Sequence, residues 1–173
     1  IDKMFFFERE KKKRPWHIII VVDQSGSMSN SVIYSAVLAN IFWELPNIKS
    51  SLIVFDTSVV DLSAEIKDPV EALMNVQLGG GTWIAEAMLY TQTLITDPKK
   101  TIIVLITDFY EGADPQILLT TIKNIVEGGT TIIGIIALDY DTTPDYNSEV
   151  AYKLRNMGVD IIATSPNLSL IHI

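Results

Sequence analysis

Apolar residues in this chain come in short, unbroken blocks. Residues 18–22 (IIIVV), 52–55 (LIVF), 102–106 (IIVLI) and 132–138 (IIGIIAL) are rich in Ile and Val, with 159–163 (VDIIA) a weaker fifth. A strand with one wet face alternates apolar and polar positions, whereas a strand covered on both faces does not. The blocks therefore predict a mostly parallel sheet flanked by helices. Helical spacing fills the gaps between them. Val32, Ala36, Ala39 and Phe42/Trp43 form one stripe, and Ile84, Ala87, Met88, Thr91 and Leu94/Ile95 a second. Ile117, Leu118, Thr121, Ile122, Ile125 and Val126 form a third, and Val150, Ala151, Leu154 and Met157 a fourth. Pro46, Pro98, Gly128 with Gly129, and Gly158 stop them.

Strand and helix in alternation give an α/β fold, a three-layer α/β/α sandwich with right-handed crossovers. One place departs from the alternation. Asp56, Thr57 and Ser58 make a short polar turn before residues 59–62, which is too short for a crossover. A hairpin with one antiparallel edge strand is expected there, and residues 69–76 predict a short helix.

With 173 residues, 48% of them apolar, the chain suits a single domain with a substantial core. No apolar stretch reaches the roughly 18 residues a membrane span needs, and the start of the chain lacks a signal-peptide pattern. The absence of cysteine excludes disulfides, thiolate metal sites and cysteine nucleophiles, and agrees with a cytoplasmic location. The first residue is Ile1, so a piece of a longer protein is expected, with residues 1–15 a basic lead-in and 16–173 the domain proper. Net charge is −8, and the basic residues Lys3, Arg9, Lys11, Lys12, Lys13 and Arg14 mask a more acidic body. Such a body repels nucleic acid. The lead-in reads as a solvated segment, with contact to an acidic partner or a phosphate as the alternative.

The chemistry gathers after the strands. Ligands of open α/β sheets collect beyond the carboxyl ends of the strands, where strand order reverses. Asp23, Ser25 and Ser27 follow the first apolar block, and Asp108 follows the third. Thr82 ends the run Gly79, Gly80, Gly81 and begins a helix. Two carboxylates and three hydroxyls are thus expected on one edge, a donor set of oxygens alone that selects a hard cation such as Mg2+. Such a cation would also compensate Asp23, whose burial after an apolar block is otherwise costly. Asp23 and Asp108 could bind directly or through water; where they are bridged by water, the neutral hydroxyls leave the ion under-neutralised. It would then accept a carboxylate from another protein. The plainer reading is local capping and turn formation, since Ser, Thr and Asp all serve as helix N-caps.

"DQSGS", then "GGGT", then "TD" after an apolar strand, resembles the metal-ion-dependent adhesion site of von Willebrand factor A (VWA) domains. The resemblance runs from about His17 to Ser165. It implies a Rossmann-like six-stranded sheet and a protein-binding rather than enzymatic task. Ser25, Ser27 and Thr82 would be direct ligands of Mg2+ (or Mn2+ or Ca2+), and Asp23 and Asp108 direct or water-bridged ones. "RPWHIIIVVDQSGSM", after a basic segment, is similar to intracellular bacterial members, CoxE-like ones included. These often work beside MoxR-type AAA+ ATPases. Some adhesion members shift a long C-terminal helix on binding metal. The residues 165–173 after the last strand are too few for that device.

Asp56, Asp139 and Asp141 also follow strands. They read as turn residues, or alternatively as an acidic rim that repels acidic partners unless metal is bound. Trp83 is expected to pack on the sheet, with exposure beside the metal as the alternative. Trp16 and Trp43 are expected to pack, and His17 and His172 stand too far from other donors to be ligands. Hydrolase signatures are missing: position 25 is Ser, so there is no phosphatase Asp-x-Asp, and there is no nucleophile elbow or P-loop. A metal-dependent hydrolase and a purely structural cation remain the alternatives.

Overall fold

The computed structural model describes residues 15–29, 31–64, 68–76, 79–137 and 145–164. Residues 1–14 of the basic lead-in, Asp139, Asp141 and His172 lie outside the described residues.

Six strands form one sheet in the order β3-β2-β1-β4-β5-β6. They are β1 (His17–Asp23), β2 (Lys49–Phe55), β3 (Val59–Asp61), β4 (Thr101–Ile106), β5 (Thr131–Ala137) and β6 (Asp160–Thr164). Five run parallel, and β3 is the antiparallel edge strand, paired with β2 through Val54 and Val60. The strands anticipated from the apolar blocks are present. β2 is longer than its block because the polar Lys49, Ser50 and Ser51 pair in register with His17, Ile18 and Ile19.

Every residue of β1 is buried. Odd positions such as Ile19 and Val21 pack with helices α3 (Ile84–Thr93), α4 (Pro115–Glu127) and α5 (Ser148–Asn156). Even positions such as Ile20 and Val22 pack with α1 (Val32–Trp43) and α2 (Pro69–Asn75). Each such side chain removed from water contributes about 1.5–3 kcal/mol, which explains why the central strand is also the most apolar. Trp43 packs on the α1 side as expected. Trp16 does not pack into either core cluster: it is 47% exposed just before β1.

β1 is the point at which the chain changes direction across the sheet. It continues through α1 to β2 on one side, and the chain later returns to β4 on the other. The loops after β1 and β4 are therefore neighbours. The passage from α2 to α3 carries the chain from one face to the other through Gly79–Thr82, along the same edge.

Candidate metal centre

Asp23 closes β1 and is fully buried. Its Oδ1 accepts the Ser25 N–H at 2.8 Å and its Oδ2 accepts the Thr107 hydroxyl at 2.6 Å. Neither partner carries charge. The two ion pairs among the described residues, Lys123–Glu127 and Lys153–Glu149, stand on α4 and α5 and do not reach it. Burial consequently pushes the Asp23 carboxyl up to about 6, against the pull of the Ser25 and Thr107 hydrogen bonds and with a small push from the Asp108 charge.

Ser25 and Ser27 follow in a tight turn, with Ser25 buried and Ser27 exposed. Their hydroxyl oxygens meet at 3.1 Å. Ser25 starts a single 3-10 turn (Gly26–Met28) but makes no side-chain cap. Capping therefore does not account for that hydroxyl. Nor does it account for Thr82: the cap residue of α3 is Trp83, without a side-chain hydrogen bond, and the helix N-terminus is met instead by Glu111, whose Oε2 accepts from Ala85 N–H at 2.8 Å.

Backbone contacts bring the other two loops to this turn. Gly26 N–H donates to Gly80 O at 3.2 Å, joining the serine turn to the glycine run. Gly112 N–H donates to Thr82 O at 2.7 Å, joining the glycine run to the loop that carries Asp108. Thr82 and Asp108 are both buried, like Asp23 and Ser25, while Ser27 opens to solvent. Asp108 lies close enough to Asp23 for its charge to be felt there, and its Oδ1 accepts from Tyr110 N–H at 3.1 Å.

Four residues outside the expected ligand set hold this arrangement. Thr107 is one; the signal was a threonine ending an otherwise apolar block. Asp56 is the second. Its carboxylate accepts from Ser58 N–H at 2.8 Å, Ser58 Oγ at 2.9 Å, Gly80 N–H at 3.1 Å and Gly79 N–H at 3.4 Å. These bonds hold it below the usual carboxylate range despite burial. Asp56 thus grips the glycine run rather than forming a rim. A side chain at Gly80 would come within 2.9 Å of its Oδ2, which is why that grip needs glycine. Glu111, which meets the start of α3, is the third. The fourth is Phe109, whose ring is fully buried while its backbone sits at φ 62, a conformation a bulky residue adopts only when its surroundings enforce it.

The donor chemistry suits a hard dication. Ser25, Ser27 and Thr82 offer neutral hydroxyls, and Asp23 and Asp108 offer negative charge that no ion pair among the described residues neutralises. Among the described residues there is no cluster of three or more His, Cys, Asp and Glu that would define a different kind of metal site. His17 hydrogen-bonds Ser51 at 2.9 Å at the far end of β1, about 20 Å of strand away from Asp23. Trp83, expected to pack, is 43% exposed beside Thr82, because its backbone N–H is held by Asp56 O at 2.8 Å and the ring is left outside the core.

This fold, with a buried aspartate and a serine pair at the reversal of strand order, defines a VWA-type α/β domain. Solved structures of the same fold include an aerotolerance-related membrane protein from Bacteroides fragilis (16% identity, 90% of this chain and 94% of that one, TM-score 0.67) and a von Willebrand factor type A protein from Catenulispora acidiphila (17% identity, 90% and 40%, TM-score 0.67). The chain belongs to the family of VWA domain containing CoxE-like proteins, whose model matches residues 2–173. It is 48% identical over 157 residues to the uncharacterized protein YehP of Escherichia coli K12, covering 91% of this chain and 42% of YehP. The chain thus spans less than half the length of that curated relative. Membership places it among protein-interaction modules. No described helix is long and apolar enough to cross a membrane.

Proposed function

We propose that the domain captures a protein partner through a divalent cation. Ser25, Ser27 and Thr82 hold Mg2+ (or Mn2+ or Ca2+), Asp23 and Asp108 bind it directly or through water, and an acidic side chain of the partner completes the coordination. The observation that carries this reading is Asp23, a fully buried carboxylate with only neutral hydrogen-bond partners beside two converging hydroxyls. A dication supplies the missing charge, and neutral hydroxyl ligands leave it electrophilic toward a carboxylate. The role is binding and not catalysis: among the described residues the histidine lies at the opposite end of β1, and in this reading the carboxylates at the turn, Asp23 and Asp108, serve the cation. The assembly served is cytoplasmic and linked to a MoxR-type AAA+ ATPase.

Calorimetry with Mg2+ alone tests the metal, and capture of partners from lysate with Mg2+ or EDTA tests the use. Wild type should take up one equivalent of Mg2+. Ser25→Ala and Thr82→Ala should lose at least about tenfold in Mg2+ affinity while keeping the far-UV spectrum. Wild-type protein that takes up no Mg2+ at millimolar concentration would overturn the reading.

A further inference from the structure

We infer that a cleft beside the cation site is a second subsite of the same interface, which receives an apolar side chain adjoining the partner's acidic residue and a partner N–H on Gln24 Oε1. The inference rests on the metal-dependent reading above and specifies the partner's chemistry.

Gln24 sits between Asp23 and Ser25. Its backbone N–H donates to Phe55 O at 2.8 Å, and its side chain is more than nine-tenths buried. The amide Nε2 donates to Leu73 O of α2 at 2.8 Å. A carbonyl can only accept, so this bond fixes which end of the amide is nitrogen. Oε1 is left buried without a partner among the described residues. A buried acceptor rarely stays unpaired unless something else supplies the donor.

The same glutamine lines a cleft of about 300 Å³ between the start of α1 and the end of α2. Met28, Val32, Met74 and Val76 supply its apolar wall, and none of its lining residues is charged. Met74 is 43% exposed at the rim. Methionine is flexible and polarizable, so this wall can adapt to apolar side chains of different shape. Ser25 and Gly26 line the cleft as well, and Ser25 is one of the cation's hydroxyl ligands. An extended peptide that places a carboxylate on the cation can therefore set a neighbouring side chain in this cleft. The peptide also carries the backbone N–H that Oε1 lacks. The acidic body of the chain repels an acidic peptide at long range. The cation overcomes that repulsion locally, and the apolar contact discriminates among the carboxylates it would otherwise accept alike.

Three probes separate the two subsites: acetyl-Leu-Asp-Leu-amide, acetyl-Gly-Asp-Gly-amide and acetyl-Leu-Asn-Leu-amide. Each is titrated into protein carrying 13C-methyl methionine, in Mg2+ and in EDTA. In Mg2+ the Leu-Asp-Leu probe should bind at least about fivefold tighter than Gly-Asp-Gly and shift the Met74 and Met28 methyl resonances. Met74→Gln, at an exposed position, should bring that ratio close to one and leave Gly-Asp-Gly unchanged. Equal affinity of the two aspartyl probes, or methionine resonances that no leucine probe moves, would overturn the subsite. If the leucine probes shift the methionines but Asp and Asn bind alike with or without Mg2+, the cleft stands and the metal-dependent capture falls.

Discussion

Asp23 enters the sheet with two hydrogen bonds from neutral groups and a carboxyl pushed up to about 6. The folded protein therefore holds this proton more tightly than the unfolded chain, whose ordinary value is 3.8. Without a cation, the stability that Asp23 contributes is greatest below the unfolded value and is lost as pH rises through the folded one. A shift of this size corresponds to about 3 kcal/mol at neutral pH. Asp23→Asn should thus stabilise the protein in EDTA by up to about 3 kcal/mol near pH 7.5, and by little near pH 4, while abolishing Mg2+ uptake. Urea unfolding of the two proteins at both pH values measures the difference directly. With saturating Mg2+ the order at pH 7.5 should reverse, because a cation stabilises only the carboxylate.

Strand β5 shows how a scaffold position acts on the site. Gly134 lies in its middle, paired with Leu105 of β4 and Ile161 of β6. A Cβ there would stand 2.7 Å from Ile161 Cδ1 and 2.8 Å from Phe109 Cζ. The missing side chain makes room for the Phe109 ring, and the seated ring holds the backbone turn that presents Asp108 on one side and Tyr110 on the other. Gly134→Ala should therefore cost about 1–3 kcal/mol by overpacking. It should also weaken Mg2+ binding, although residue 134 touches none of the ligands. Chemical denaturation and calorimetry on this variant report the two effects separately, and an unchanged Mg2+ affinity would dissociate Phe109 from the placement of Asp108.

Binding at an edge where three loops meet couples the ligand to the stability of the fold as a whole. The serine turn, the glycine run and the Asp108 loop follow β1, precede α3 and follow β4, so the proposed cation between them would tie both faces of the sandwich together. Mg2+ at about a hundredfold its dissociation constant adds about 2.7 kcal/mol, which for a domain of this size raises Tm by roughly 5–10 °C. Differential scanning calorimetry should show that rise, its reversal by EDTA, and its absence in Ser25→Ala. α1 adds a second molecular feature, an outer face bearing Ile33, Val37 and Ile41, each about half or more exposed.

The unbroken apolar blocks made the strands readable, because a strand buried on both faces has no polar position to hide its pattern. The first half of β2 escaped that reading: Lys49, Ser50 and Ser51 are strand because β1 offers them a ladder, and pairing outweighs local preference. The serine turn was readable for a related reason, since its donors are adjacent in the chain and their spacing is itself the geometry. The supports were not readable. Thr107 reaches Asp23 across 84 positions, Glu111 reaches Ala85 across 26, and Gly80 reaches Asp56 across 24. The chain alone made most elements legible and set oxygen-bearing side chains after β1 and β4, features that depend on neighbours in sequence. Which loops meet, how Gln24 is oriented and why Phe109 is strained depend on strand order and on packing between distant elements, and these exist only once the sheet has formed.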